Sequence, residues 1–156
     1  MAQRQFELTT VAAVDRAFAF RFLQDLNNHR HLHPFFVQAE VVRSGVDEAG
    51  CSYQDLMVTE RPQLAFWRYT IHFPTRMVVT GEYELTSYVE AALHTRLVNV
   101  MRCQSEQDQT RITESVTVTA PWMTMGYVRR QAFVAHQRTF SLLPDVLADL
   151  ASRSVS

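Results

Sequence analysis

The chain has no lysine: its 15 basic residues are all arginine, set against 16 acidic residues for a formal charge of −1. Neutralising phosphates takes a net excess of basic side chains, so this balance argues against a nucleic-acid or anionic-membrane protein. The arginines are scattered, and the missing lysine reads as a compositional bias of the source genome. Glycine (4) and proline (5) are few. That leaves no material for a flexible linker or second module, and four isolated glycines build no phosphate-cradling loop. The two cysteines, Cys51 and Cys103, lack CxxC spacing and read as reduced thiols of a cytoplasmic protein. No apolar run approaches the ~18 residues of a membrane span. The first residues lack the apolar core of a signal peptide. A cytoplasmic protein without stable membrane insertion is therefore expected. No serine sits in a GxSxG elbow, so no nucleophile constellation is visible.

What is present is an ordinary globular composition. Apolar residues make up 47 % and charged ones 20 % of 156 residues, enough for one domain to bury a core without disulfides or metals. Residues 1–151 read as that domain and residues 152–156 as a frayed tail.

Periodicity divides the domain. Phe6 to Val11 alternates as a strand. From Val14 to Leu26 the period becomes helical, with Val14, Ala17, Phe18, Phe22 and Leu26 on one stripe. A short second helix ends near His33, because Pro34 pushes the residue before it out of the helical region. Six strand-like segments follow: Val37–Arg43, Cys51–Glu60, Leu64–Phe73, Arg76–Thr86, Ala92–Met101 and Arg111–Thr119. Pro74-Thr75 and Ser87–Glu90 are read as two of the turns between them. From Trp122, just after Pro121, the chain reads helical to about Leu150, with Pro144 inside the run. The order predicts an α+β domain: a curved seven-stranded antiparallel sheet (β-α-α-β6-α) wrapped around a long C-terminal helix, with a cavity between them.

This order resembles the START-like (helix-grip) superfamily, the polyketide cyclase/dehydrase and lipid-transport type. Thr10 to Phe18 is similar to that family's strand-to-helix entry. Asp25-Leu26 followed by His33-Pro34-Phe35-Phe36 looks like its aspartate, short helix and proline, and Thr110 to Pro121 like its last strand running into the long helix. Val14 departs from the pattern, standing near where many members have proline. The resemblance implies a cavity for a hydrophobic ligand. Its members include carriers, cyclases and chaperone partners, so it leaves the activity open.

The residues themselves nominate a site. His136 shares the helical stripe of Met125, Ala132 and Leu143, with Arg129 at its edge. Glu114 alternates in phase with Ile112, Val116 and Val118, so it points inward from the last strand. Glu114 lies about 23 Å back along the strand from Pro121, and His136 about 22 Å forward along the helix. A helix doubling back over the sheet would bring the two to similar depth, where a carboxylate beside an imidazole could move protons. Catalytic candidates are thus Glu114, His136 and Arg129. Candidate ligand contacts are Trp67, Tyr69, Tyr83, Leu97, Asn99, Met101, Met125, Arg129, Ala132 and His136, with Gly81, Gly126 and Ala132 leaving room in the interior. The cluster His29-Arg30-His31-Leu32-His33 reads as a solvated short helix rather than a metal site, because only His29 and His33 share a face and Asp25 is the sole nearby carboxylate. No metal or cofactor is expected. Three functions stay open: a carrier for a small lipid-like or aromatic molecule, a polyketide aromatase/cyclase-type enzyme, or a protein-interaction scaffold. The carrier is favoured because no catalytic motif is visible. The sequence names neither a ligand nor an oligomeric state.

Overall fold

The computed structural model describes residues 1–64 and 66–155. Ala65, inside the predicted strand Leu64–Phe73, and Ser156, at the end of the predicted tail, lie outside the described residues.

The main sheet has seven antiparallel strands in the order β1-β9-β8-β7-β6-β3-β2. They are β1 (Ala2–Ala12), β2 (Phe36–Val46), β3 (Ser52–Glu60), β6 (Ile71–Gly81), β7 (Glu84–Ala91), β8 (Thr95–Glu106) and β9 (Gln109–Ala120). Two further short strands, β4 (Gln63–Leu64) and β5 (Trp67–Arg68), pair only with each other in a small hairpin between β3 and β6. Helix α1 (Arg16–Gln24) and a 3-10 helix (Leu26–His31) follow β1, and helix α2 (Met125–Ser154) closes the chain. This is the helix-grip arrangement: a curved sheet and a long helix lying along it, packed against β1 and β9.

Local chemistry explains the early helical segment. Asp15 caps α1 by accepting from the Ala17 and Phe18 amides at 2.9 and 3.2 Å. Asp25 then restarts the chain as a 3-10 helix, accepting from the Asn27 amide. Asn27 ties that helix to β2 with two bonds to Ala39, one donated to its carbonyl and one accepted from its amide. Asn28 donates to the Phe22 carbonyl. The paired asparagines end α1 and pin the turn that replaces it.

The structure corrects several boundaries. Pro74 lies inside β6, paired with Met57, and not at a turn. The β6–β7 ladder begins only at Thr75↔Val89, so Pro74 has one neighbouring strand, which is where a strand tolerates proline. The predicted strand Arg76–Thr86 is two strands joined by a hairpin at Glu82-Tyr83. The predicted turn Ser87–Glu90 is strand, and the real one follows Ala91, where Leu93 and His94 take positive φ of 59° and 55°. Helix α2 starts at Met125 because Thr124 and Met125 both donate to the Pro121 carbonyl in one turn, and it runs through Ser154, into the predicted tail.

The core divides in two. A larger cluster joins α1 and the C-terminal half of α2 (Phe140, Leu143, Leu147) to the concave face of the sheet. A smaller one joins Met125 and neighbouring α2 residues to Phe6, Val116 and Val118.

Candidate functional site

Strand register sets which side chains share the concave face. Val79 pairs with Leu85, Leu85 with Met101, Met101 with Glu114, and Glu114 with Leu8. These form one row across the sheet. The next row runs Met77, Ser87, Asn99, Val116, Phe6. At about 4.8 Å between strands, Leu85 and Glu114 stand about 10 Å apart.

Helix α2 covers only the β1–β9 side of this face. Beyond it, Val79, Ser87, Asn99 and Met101 point inward yet are only half-buried. An open cleft of about 740 Å³ lies between this uncovered side and the α1–3-10 segment. Its floor includes Leu56, Met77, Val79 and Leu85, and its wall includes Arg21, Asp25, Leu26 and Tyr53. That volume falls within the range of small-molecule sites. Among the described residues, three buried polar atoms on the concave face, Thr75 Oγ1, Thr95 Oγ1 and Asn99 Oδ1, have no hydrogen-bond partner. Buried polar atoms are almost always satisfied, so such exceptions mark places where something else can bind.

Glu114 is 3 % exposed, an unusual depth for a carboxylate. His136 reaches it from α2, with Nδ1 2.7 Å from Glu114 Oε2. The imidazole also meets the Phe6 ring edge-on at 5.9 Å between centroids. Burial alone would lower the His136 pKa, but the Glu114 charge and hydrogen bond outweigh it and hold it above the ordinary imidazole value. His29, on the 3-10 helix, goes the other way. Burial pushes it down to about 4; the Glu114 charge resists, while His136 and His33 push it further down. His33 is likewise lowered, by burial and then by Arg138 and His136. Three imidazoles thus lie within electrostatic reach of one another: one favours its charged form, the other two their neutral forms. His31 lies apart, near the Phe22 ring. Among the described residues no three His, Cys, Asp or Glu side chains converge as a metal site.

The predicted contacts scatter by comparison. Glu114, His136, Asn99 and Met101 share the concave face. Leu97, Met125 and Ala132 sit in the smaller core cluster under α2. Tyr83 lies at the far end of the sheet, edge-on to Phe20 and beneath the Arg16 guanidinium. Three placements are overturned. Trp67 and Tyr69 are exposed, because their segment leaves the sheet as the β4–β5 hairpin instead of running on as a strand. Arg129 is exposed on the outer side of α2 and does not join the pair. Gly81 and Gly126 are exposed as well and open no interior space. His29 lies within electrostatic reach of the pair, which the reading of its cluster as a solvated short helix did not anticipate.

No family model matches the sequence, and no curated protein matches it closely enough to count as a relative. Solved structures do share the fold. The Zhui aromatase/cyclase of a Streptomyces species superposes with a TM-score of 0.71 at 14 % identity, over 99 % of this chain and 97 % of that one. A START superfamily protein from Mycobacterium smegmatis gives 0.68 at 11 % identity, over 94 % and 98 %. Ara h 8.0201 gives 0.63 at 12 %, over 95 % and 99 %. The chain therefore has the START-like helix-grip fold.

Proposed function

We propose that the chain binds a small, largely apolar molecule carrying one polar end. The molecule lies along the concave face from the cleft toward Glu114 and His136. The observation that carries this reading is the row Val79–Leu85–Met101–Glu114, which runs from the cleft floor to the buried carboxylate. Val79, Leu85 and Met101 supply apolar contact. Asn99 Oδ1 and the Glu114–His136 pair supply hydrogen-bonding points for the polar end. An aromatase/cyclase and a START superfamily protein share the fold, which supports the reading at the level of the fold alone. The test is native mass spectrometry of the purified protein, together with titration of an environment-sensitive dye such as anilinonaphthalene sulfonate. Val79→Trp should fill part of the cleft and weaken dye binding at least tenfold without altering the far-ultraviolet circular dichroism. Unchanged dye binding in that variant would remove the cleft from consideration.

A second reading has one observation in its favour. Imidazoles whose pKa values are driven apart around one carboxylate are the arrangement that general acid and base catalysis uses. In an aromatase/cyclase-type reaction, neutral His29 would accept a proton and His136 would donate one. Incubation with a linear poly-β-ketone thioester, followed by absorbance of the aromatic product, decides between the two. If wild type and His136→Ala give the same product distribution, the enzymatic reading fails.

A further inference from the structure

One end of the sheet collects the start of β1, the end of β3, the β4–β5 hairpin, the β7–β8 turn and the β9–α2 turn, because the strands alternate in direction. Large apolar side chains stand free there. Phe66 is 97 % exposed, Trp67 77 %, Leu93 63 %, Trp122 75 % and Met123 78 %. The two tryptophans of the chain are both among them. These residues come from three separate turns that ring an end, so they form protruding tips, not a groove.

The charges at this end are lopsided. Arg4, Arg61, Arg68, Arg96, Arg129 and Arg130 lie in or beside these segments and are all exposed. The acidic residues there are Glu60 and Glu90, and Glu90 is already engaged with Arg96. Among the described residues, the other five arginines form no ion pair. At the opposite end the balance reverses, with Asp47, Glu48, Glu82 and Asp108 in or beside the turns. There Glu84 and Glu106 are paired with Arg102 and Arg111. The chain's near-zero charge is thus the average of a basic end and an acidic end.

We infer that the basic, apolar end docks on an anionic lipid bilayer, with Phe66, Trp67, Trp122 and Met123 entering the headgroup boundary and the surrounding arginines facing lipid phosphates and carboxylates. Tryptophan is favoured at that boundary because its ring is apolar and its N–H stays hydrated. Basic side chains beside an apolar insertion are the combination that holds a protein reversibly on anionic membranes. A protein partner would need a complementary surface for several separate tips, whereas a bilayer deforms around them. The cleft lies toward the other end, at Val46, Ser52 and Tyr53, so docking and ligand binding involve different surfaces and either can fail without the other.

The experiment uses the native chain with vesicles of phosphatidylcholine alone and of phosphatidylcholine with phosphatidylserine. Because both tryptophans sit at this end, intrinsic fluorescence reports on it directly. Co-sedimentation with the anionic vesicles and a blue-shifted emission are expected, both diminished by salt. Each basic residue near such a surface is worth about fivefold in partitioning, so Arg129→Gln with Arg130→Gln should weaken it about twenty-fivefold. Phe66→Ser should lower sedimentation with both tryptophans retained as reporters. All three substituted residues are exposed, and circular dichroism will check that the fold is kept. Equal binding to neutral and anionic vesicles, or no blue shift with either, overturns the inference. So does emission already blue-shifted in a concentration-dependent way without vesicles, which would make the end an interface between two copies. Binding to an acidic protein with no binding to vesicles overturns it equally.

Discussion

Replacing Glu114 with glutamine keeps the shape of the buried pair and removes its charge. In the native protein, Nδ1 of His136 and Oε2 of Glu114 are 2.7 Å apart, and both side chains are largely shielded from water. With charge centres about 4 Å apart and an effective dielectric near 20, their attraction is about 4 kcal/mol. Burying the imidazolium consumes part of that. A net loss of about 1.5–3 kcal/mol, the usual worth of a hydrogen bond to a charged group, is expected below pH 6. For a chain of this length that lowers Tm by roughly 3–12 °C.

The pH dependence carries the sharper signature. The His136 pKa is raised in the folded state. Its contribution to stability is therefore complete below the unfolded value of about 6.5 and fades as pH climbs through the higher folded value. Glu114→Gln should cost most in mildly acidic buffer and progressively less above neutrality. Each unit by which the His136 titration midpoint falls in the variant corresponds to about 1.4 kcal/mol. Two-dimensional NMR of the imidazole protons gives the midpoints, and thermal melts from pH 5 to 9 give the stabilities. An identical His136 midpoint in both proteins would refute the electrostatic account of the pair. A shifted midpoint with unchanged dye binding would make the pair structural.

His29 runs opposite to His136. With its folded pKa lowered to about 4, its stabilising effect is present above about pH 6.5 and is lost as pH falls toward 4, so His29→Gln should remove about 2 kcal/mol of acid destabilisation at pH 5, read from paired melts. Burial pushes the Cys103 thiol up to about 11, so Ellman's reagent at pH 8 should titrate Cys51 in the native protein and both thiols only after denaturation. Asn27→Ala removes both bonds to Ala39 and should cost about 1–3 kcal/mol in urea unfolding, whereas Asn28→Ala, which loses one bond, should cost less. Replacing both Glu114 and His136 by leucine should be neutral or stabilising by about 1–4 kcal/mol while each single leucine variant destabilises, because a lone buried charge costs more than an apolar pair; a double variant as unstable as the single ones would contradict this.

The pairing of Glu114 with His136 was legible in the sequence because β9 and α2 are the most regular elements of the chain. Constant rise and constant phase carry a position far along both. The β6–β7 hairpin was not legible, for a reason of parity. Val79 and Leu85 are six residues apart and face the same way across the turn. An even-numbered excursion preserves the two-residue alternation, so a single continuous strand from Arg76 to Thr86 fits the pattern equally well. Met77, Val79 and Leu85 therefore keep one common phase whether the segment is read as one strand or two. The β7–β8 turn was hidden differently. It places Leu93 and His94 at positive φ, where glycine or asparagine would have announced it.

Trp67 and Tyr69 show where alternation stops being informative. Aromatic residues at every second position describe a half-buried strand and an exposed hairpin rim equally well; only neighbouring strands decide which, and β4 and β5 have none beyond each other. Net charge fails by the same averaging. A total of −1 excludes a uniformly basic protein, but the field near a surface is set by charges within about 8–10 Å at moderate salt. Arg129 and Arg130 lie far along the grip from Glu82 and Asp108. Electrostatic reasoning about this chain therefore has to be done one end at a time, which requires the strand register and cannot be done from composition.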